Sequence, residues 1–241
     1  MLTKTKAIVL NTVKYSESSL IVKVYSAEYG AISLIAKGVR KSGKAKKIAL
    51  FSPLNILNLD FDFRENRDLQ FFRDAEMAAP LFSLQTMISK STVSLFLAEF
   101  LLKALKEEES NPALFKFLEE SIIYFNSLES NYSDFHLVFL IHISRYLGFK
   151  PNANRDEINL YFNLQQGSFQ SNFSSEEICL NIENSTNLQL ILDSEILNLN
   201  SLKFSNKERR ELLSNILRFY EIHLPEVGKI ESLYILESVF S

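Results

Sequence analysis

The sequence predicts an α+β protein, in which a barrel of five β-strands precedes a mainly helical domain. Short β-branched and apolar runs fill residues 6–76, and apolar residues recur at helical spacing after Pro80. Ala78, Ala79 and Pro80 mark the change between the two patterns. Five twisted strands with no long helix between them pack naturally as a small closed barrel. We therefore predict two domains, residues 1–79 and 80–241.

The five strands are predicted from short apolar runs and from alternation. Tyr29 and Gly30 supply a turn between the second and third strands, and residues 64–68 read as a polar turn between the last two. The fourth strand alternates most clearly, because Asn58, Asp60 and Asp62 separate its apolar residues. The predicted strands are residues 6–13, 19–26, 31–36, 54–63 and 69–76.

The second domain is predicted to hold helices and one β-hairpin. Pro112 suits the first position of a helix. Ser133 and Asp134 can cap the next helix, and Gly148 ends it. The hairpin turns near residues 165–167. The predicted helices are residues 91–106, 112–125, 135–147, 186–197, 207–223 and 230–239, and the hairpin is residues 158–171.

Composition favours a soluble globular protein, with 46% hydrophobic and 23% charged residues. Cys179 is the single cysteine, which excludes an intrachain disulfide and a four-thiolate zinc site and suits a reducing compartment. The N-terminus lacks the apolar run of a signal peptide. The longest apolar run, residues 93–105, is too short and too often interrupted to span a membrane. We expect a cytoplasmic protein with no membrane partner.

Charge is distributed unevenly along the chain. The net charge is -3, but residues 1–79 hold 13 Lys and Arg against 8 Asp and Glu, whereas residues 80–241 hold 13 against 21. Such asymmetry suggests a basic module joined to an acidic one, each with its own partner.

Residues 37–47 concentrate the positive charge, and we call them the basic segment. Six of its eleven residues are basic and none is acidic, and its small residues predict a flexible loop. Like charges packed this closely repel one another, and a polyphosphate backbone relieves that repulsion. A solvated loop without function is the alternative. The predicted DNA-binding residues are Lys37, Arg40, Lys41, Lys44, Lys46 and Lys47, with Lys14 and Tyr15 nearby.

No pattern in the chain favours catalysis. The sequence has no phosphate-binding P-loop, no nucleophile elbow and no HExxH motif, and His136 and His142 are six residues apart. Glu107, Glu108 and Glu109 are consecutive, so their carboxylates point in different directions and suit a solvated turn better than a metal site. We expect no enzyme activity, no cofactor and no metal ion.

Several short segments, taken in their order, resemble the family of the bacterial DNA repair protein RecO. Each segment is weak alone, but their joint order and spacing cover nearly the whole chain. They are Val9-Leu10, Glu17-Ser18, Ser26-Ala27-Glu28-Tyr29-Gly30, Ala36-Lys37-Gly38 with Arg40-Lys41, Phe51-Ser52-Pro53-Leu54, Tyr146-Leu147-Gly148-Phe149, and His223-Leu224 followed by Lys229-Ile230-Glu231-Ser232.

The resemblance implies an N-terminal OB-fold and a helical C-terminal domain. It implies a recombination mediator that binds single- and double-stranded DNA and anneals complementary strands. It further implies that, with RecR, the protein helps the recombinase RecA to displace single-stranded DNA-binding protein, SSB. Docking of the acidic SSB tail on the helical domain is also implied, and the protein would associate with the nucleoid during repair.

The chain departs from the RecO pattern in two places. Many members carry a four-cysteine zinc site after the segment Leu147-Gly148-Phe149, but residues 152–171 contain no cysteine. The predicted hairpin must then be held by packing of Leu160, Phe162 and Phe169. The helix before that segment has a single arginine. Either the SSB tail contacts Arg145, Lys150, Lys103 or Lys90 in this chain, or that contact lies elsewhere than in the family pattern.

Two other classes of function remain open on the sequence. A protein–protein adaptor would use the helical domain and would bind single strands weakly. A metal-dependent nuclease would lose Mg²⁺-dependent cleavage when Glu107 or Glu108 is replaced by Gln.

Overall fold

The computed structural model describes residues 2–39, 45–176, 178–199 and 202–239. In its first part, five strands form a closed barrel in the order β1-β2-β3-β5-β4. Only β3 and β5 pair in parallel; the other neighbours within the barrel are antiparallel. The predicted five-stranded OB-fold barrel is confirmed. Its strands are β1 (Leu2–Lys14), β2 (Leu20–Ser26), β3 (Gly30–Ala36), β4 (Ile56–Asp62) and β5 (Leu69–Met77).

The long strand β1 closes the barrel because it pairs on both sides. Its residues Leu2 to Ile8 pair with β4, and Ala7 to Lys14 pair with β2. A bulge between Val9 and Asn11 shifts the register at the point where β1 leaves β4. Bulges of this kind bend a strand, which a barrel of only five strands requires.

Every second side chain of each strand points into the barrel and fills its interior. On β2 and β3 the inward side chains are Leu20, Val22, Val24, Leu34 and Ala36, all buried. Residues between them, such as Ile21, Lys23 and Ile35, therefore lie on the outer face of the barrel.

The basic segment is not a loop throughout, which corrects the sequence-based expectation. Residues 45–49 form a one-turn helix, α1 (Ala45–Ala49). The side chain of Asn55 donates hydrogen bonds to the carbonyl oxygens of Ala49 and Leu50, both at 3.0 Å. These bonds satisfy carbonyl groups at the end of α1. Because Asn55 lies outside residues 45–49, the sequence of that stretch alone does not predict the helix.

Helices dominate the rest of the chain, and the predicted hairpin is present with shorter strands. The structure adds a short helix at residues 82–86 that was not predicted. The elements are α2 (Phe82–Thr86), α3 (Ile88–Ala104), α4 (Pro112–Ser127), α5 (Phe135–Ile143), β6 (Tyr161–Asn163), β7 (Ser168–Gln170), α6 (Ile182–Leu192), α7 (Asn206–His223), a 3₁₀ turn (Pro225–Val227) and α8 (Leu233–Val239).

Helix α5 ends four residues earlier than the sequence predicts. The amides of Tyr146 and Leu147 bond three residues back, to the carbonyls of Ile143 and Ser144, so the last turns tighten before Gly148. Asp134 is the N-cap residue of α5, but its side chain does not cap the helix. It binds Arg209 instead.

The β6–β7 hairpin is held mainly by two of the three predicted side chains. Phe162 and Phe169 are buried, with ring centroids 5.2 Å apart, whereas Leu160 is only half-buried. The turn contains Gly167 at a φ of 63°, which suits glycine.

Contacts group the chain into two compact units, and we call them the barrel unit and the helical unit. The barrel unit comprises residues 1–126 and 230–236, and the helical unit comprises residues 127–229 and 237–241. The barrel unit thus includes α2, α3 and nearly all of α4. The domain boundary between residues 79 and 80, which rests on the change of sequence pattern, stays a prediction. Across the described ranges, every helix is too short or too polar to span a bilayer.

Candidate nucleic-acid interface

One edge of the barrel gathers the ends of β1 and β3. Lys14 pairs with Leu20, and Leu20 pairs with Ala36, the residue before Lys37. Neighbouring strands lie about 4.8 Å apart, so the backbone at Lys14 is about 10 Å from that at Ala36, the residue before Lys37. Both lysines are exposed, and Tyr15 beside them is 58% exposed. The structure therefore brings three of the predicted DNA-binding residues to one edge.

The turn between β4 and β5 reaches the same region because β5 runs beside β3, with Phe71 paired to Ile35. The buried side chain of Gln70 holds this turn. Its amide group donates to the carbonyl oxygens of Arg64 at 2.9 Å and Arg67 at 2.7 Å. Its carbonyl oxygen accepts from the amide of Arg64 at 2.9 Å. Gln70 thus fixes the backbone that carries both arginines.

A surface cleft of about 610 Å³ opens between β3, β5, α1 and this turn, and we call it the basic cleft. Among the described residues that line it, five are cationic and one is acidic. The lining residues are Ile35, Lys37, Val39, Lys47, Asp62, Arg64, Arg67, Phe71, Phe72 and Arg73.

The acidic residue of the cleft is already engaged by a cation. Arg73 donates to Asp62 from Nε at 2.8 Å and also from Nη2. This hydrogen bonding holds the pKa of the Asp62 carboxyl below its usual range. Lys47 lies 3.5 Å from Asp74, but both side chains are largely exposed, so this ion pair is weak. The cleft therefore keeps a net positive charge at neutral pH.

The aromatic ring of Phe71 lies beside two of these cations. Lys37 Nζ is 5.0 Å and Arg67 Cζ is 5.1 Å from the ring centroid. Both distances fall within the range of cation–π attraction. Positive charge and an aromatic face are thus combined at one place on the barrel surface.

Of the remaining predicted DNA-binding residues, the structure describes Lys47 fully. Lys47 lines the basic cleft from α1. Arg40, Lys41 and Lys44 lie outside the described residues, as does the side chain of Lys46.

Reasoning from the sequence missed Arg64, Arg67, Phe71 and Arg73 of the basic cleft. Glu65 and Asp68 alternate with the two arginines of the turn, which therefore read as an ordinary polar turn. The position of this turn could have predicted its role, since the loop between the last two strands of an OB-fold often contacts nucleic acid.

The four residues expected to hold the SSB tail differ in accessibility. Arg145 and Lys150 are exposed in the helical unit, and Arg145 packs on the ring of Tyr146. In the barrel unit, Lys103 lies 3.2 Å from Glu99. Lys90 is fully buried, and its ammonium group donates to Ser83 Oγ at 2.9 Å and to the Asn126 carbonyl oxygen at 3.0 Å. Lys90 therefore presents no charge at the surface in this conformation.

Among the described residues, no group of three His, Cys, Asp or Glu side chains could hold a metal ion. Cys179 is buried. His136 is also buried, and desolvation lowers the pKa of its imidazole to about 3, with a smaller contribution from the nearby charge of Arg209.

Replacing Gln70 by Met should lower the free energy of unfolding of the barrel unit by about 1–3 kcal/mol, because three backbone groups of the turn lose their partner. Urea unfolding followed by circular dichroism measures the change. Gln85→Met is the matched control, since the exposed Gln85 side chain makes one hydrogen bond, to Asn55. Equal losses in the two variants would contradict the role assigned to Gln70.

Comparison with known proteins covers the whole chain. The family model described as "Recombination protein O N terminal" matches residues 1–81, and the one described as "Recombination protein O C terminal" matches residues 85–230. The chain is 36% identical over 240 residues to a DNA repair protein RecO of Azobacteroides pseudotrichonymphae, with 100% of both chains covered.

Two further relatives agree with this match. The chain is 36% identical over 241 residues to a DNA repair protein RecO of Christiangramia forsetii, with 100% of both covered. It is 37% identical over 248 residues to that of Flavobacterium johnsoniae, with 99% of both covered. Full-length similarity of this kind confirms the resemblance drawn from the short sequence segments: the chain belongs to the RecO family of DNA repair proteins.

Proposed function

We propose that the chain is a recombination mediator that binds single- and double-stranded DNA and anneals complementary strands. The observation that carries the proposal is the basic cleft, in which five cations and one engaged carboxylate line the surface between β3, β5 and the β4–β5 turn. In OB-folds, the outer face of strands 2 and 3 and the loops beside it bind oligonucleotides.

Binding is proposed to rest on phosphate contacts. Lysine and arginine side chains at a phosphate carry charge but read no base edges, so we expect little sequence preference. The basic segment extends the same positive region from Lys37 through α1 at Lys47, with Arg40, Lys41, Lys44 and Lys46 between them in sequence. Lys14 and Tyr15 flank it at the barrel edge.

Annealing follows from the same electrostatics. Two DNA strands repel each other through their phosphates, and a surface that neutralises several phosphates lowers this repulsion. We propose that one strand lies along the basic cleft and that the cations between Lys37 and Lys47 in sequence hold the second. No P-loop is present in the sequence, so we expect annealing without ATP hydrolysis by this chain.

Partner contacts complete the proposal. With RecR, the protein would help RecA load onto DNA coated by SSB, in the cytoplasm and on the nucleoid during repair. We propose that Arg145 and Lys150, which are both exposed in the helical unit, contact the acidic SSB tail. Lys103 is a weaker candidate because Glu99 already pairs with it. Lys90 is left out because it is buried.

A salt series of DNA affinity tests the proposed function. If four to six phosphates are contacted, the logarithm of the binding constant for fluorescent single-stranded DNA should fall with the logarithm of salt at a slope of about -3 to -4. Replacing Lys37, Arg64 and Arg67 together by Ala should flatten this slope by about 2 and weaken binding, because three phosphate contacts are lost.

A control with the same loss of charge makes the result specific. It replaces Lys4, Lys116 and Lys207, which are exposed and lie outside the basic cleft. The control should keep most of the wild-type slope. Equal flattening in both variants would show that net charge alone matters and would contradict a site at the cleft. Negligible DNA binding by the wild type would instead favour a protein–protein adaptor.

A further inference from the structure

An apolar row crosses the outer face of the barrel beside the basic cleft. Val13 pairs with Ile21, Ile21 with Ile35, and Ile35 with Phe71, so the four side chains lie on one face of four neighbouring strands. This is the outer face, because Val22, Leu34 and Ala36 point into the core. Val13 is 47% exposed, Ile21 and Phe71 are half-buried, and Ile35 between them is buried at 6% exposure.

Phe71 joins this row to the cations of the cleft. Its ring lies 5.0 Å from Lys37 Nζ and 5.1 Å from Arg67 Cζ. The backbone at Phe71 is held on both sides, since Phe71 pairs with Ile35 of β3 and with Asp62 of β4, and its neighbour Gln70 holds the β4–β5 turn. An aromatic face fixed in this way, with cations at its edge, suits a group that is flat and apolar on one side and anionic on the other.

A nucleotide with an unpaired base has this chemistry. An exposed cation–π contact strengthens an association by about fivefold or less, whereas stacking of a base on an aromatic ring contributes about 5- to 150-fold. A base can therefore displace Lys37 or Arg67 from the ring, and the released cation stays within reach of the phosphate of the same nucleotide. In a duplex the bases stack on one another inside the helix and leave no face for the ring.

We infer that Phe71 is a stacking platform for an unpaired base, with Ile35 and Ile21 extending its apolar floor, and that it makes the basic cleft selective for single strands. This inference rests on the proposed function, because it assumes that DNA occupies the cleft. It adds a contact to the base to the phosphate contacts described above, and it assigns selectivity to an uncharged residue.

Three fluorescent probes of equal length test the inference: oligothymidylate, an abasic deoxyribose-phosphate strand, and a duplex. The wild type should bind oligothymidylate more tightly than the abasic strand. Phe71→Leu keeps an apolar side chain but removes the ring. It should weaken binding of oligothymidylate about tenfold, within the range for one stacked base, and change binding of the other two probes by less than about twofold.

Two further variants serve as controls. Phe71→Trp restores an aromatic face and should restore affinity for oligothymidylate. Phe82→Leu removes a ring that is 73% exposed on α2 and should leave the affinity for all three probes unchanged. Because none of these variants changes charge, the salt slope should stay that of the wild type.

The possible failures are distinguishable. Equal wild-type affinity for oligothymidylate and the abasic strand would overturn the stacking platform while leaving phosphate binding in place. Equal losses on all three probes in Phe71→Leu would also overturn it, because they would indicate a distorted cleft. A wild type that binds none of the probes would overturn both this inference and the proposed function.

Discussion

Replacing Asp134 by Ala should lower the free energy of unfolding of the helical unit by about 3–5 kcal/mol, the usual cost of leaving one charge of a buried ion pair without its partner. Asp134 Oδ1 accepts a hydrogen bond from Arg209 Nε at 2.7 Å, and the two side chains are only 8% and 10% exposed. Without the carboxylate, Arg209 keeps its bonds to the Phe204 carbonyl oxygen and to Asn206, but its charge stays buried.

A double replacement separates the loss of the pair from the loss of packing. Two apolar residues of similar size often replace a buried ion pair at little cost. Asp134→Leu combined with Arg209→Met should therefore recover most of the stability lost in Asp134→Ala. Urea unfolding followed by circular dichroism provides the measurement. A single variant within about 1 kcal/mol of the wild type, or a double variant no better than the single one, would contradict a desolvated charge at this site.

Replacing Gly30 by Ala should lower the free energy of unfolding of the barrel unit by about 2–5 kcal/mol, from backbone strain and overpacking together. Gly30 has a φ of 61° at the start of β3, directly after the turn from β2. A Cβ atom there would lie 2.4 Å from the carbonyl oxygen of Glu107 and 2.5 Å from that of Glu109. Neither oxygen belongs to a flexible side chain, so the segment after α3 would have to move.

That segment is tied to the turn by hydrogen bonds. The amide of Ala31 donates to the Glu107 carbonyl oxygen at 2.9 Å, and Ser110 Oγ donates to the Ala27 carbonyl oxygen at 2.8 Å. Movement of residues 107–109 would break these bonds. The loss would also reach the proposed interface, because β2 and β3 carry its outer face.

A second glycine provides the control for Gly30. Gly148 has a φ of 89°, but an added Cβ would meet no atom within 4 Å. Gly148→Ala should therefore carry only the conformational cost, about 1–2 kcal/mol. Thermal unfolding of both variants compares the two effects. Similar losses would mean that residues 107–109 move aside cheaply and that the close approach at Gly30 contributes little.

Some of the fold could be predicted because local patterns determine it. The alternation of Asn58, Asp60 and Asp62 with apolar residues determines a strand buried on one face wherever it packs, and β4 lies within the predicted range. Pro112 begins α4 as predicted, since its fixed φ and missing N–H suit that position. The β6–β7 turn at Gly167 was predictable for the same kind of reason.

Side chains whose partners are distant in sequence were not predictable. Asp134 has the residue type of a helix cap, yet it pairs with Arg209, 75 residues later. Lys90 was expected at the surface as a contact for the SSB tail, yet its ammonium group is buried and donates to Ser83 Oγ and to the carbonyl oxygen of Asn126, 36 residues later. Burial depends on which elements pack together, and no local pattern around residue 90 or 134 carries that information.

The amino-acid sequence by itself determined the order of the barrel strands and of the longer helices, and the excess of positive charge before residue 80, because both are properties of neighbouring residues. It also contained the family segments that identify a DNA repair protein. Tertiary structure alone decided which charges share a surface. Arg67 and Lys37 meet at Phe71 only because β5 pairs in parallel with β3, which sets Phe71 beside Ile35. Strand pairing over such distances depends on closure of the whole barrel, so it exists only in the folded chain.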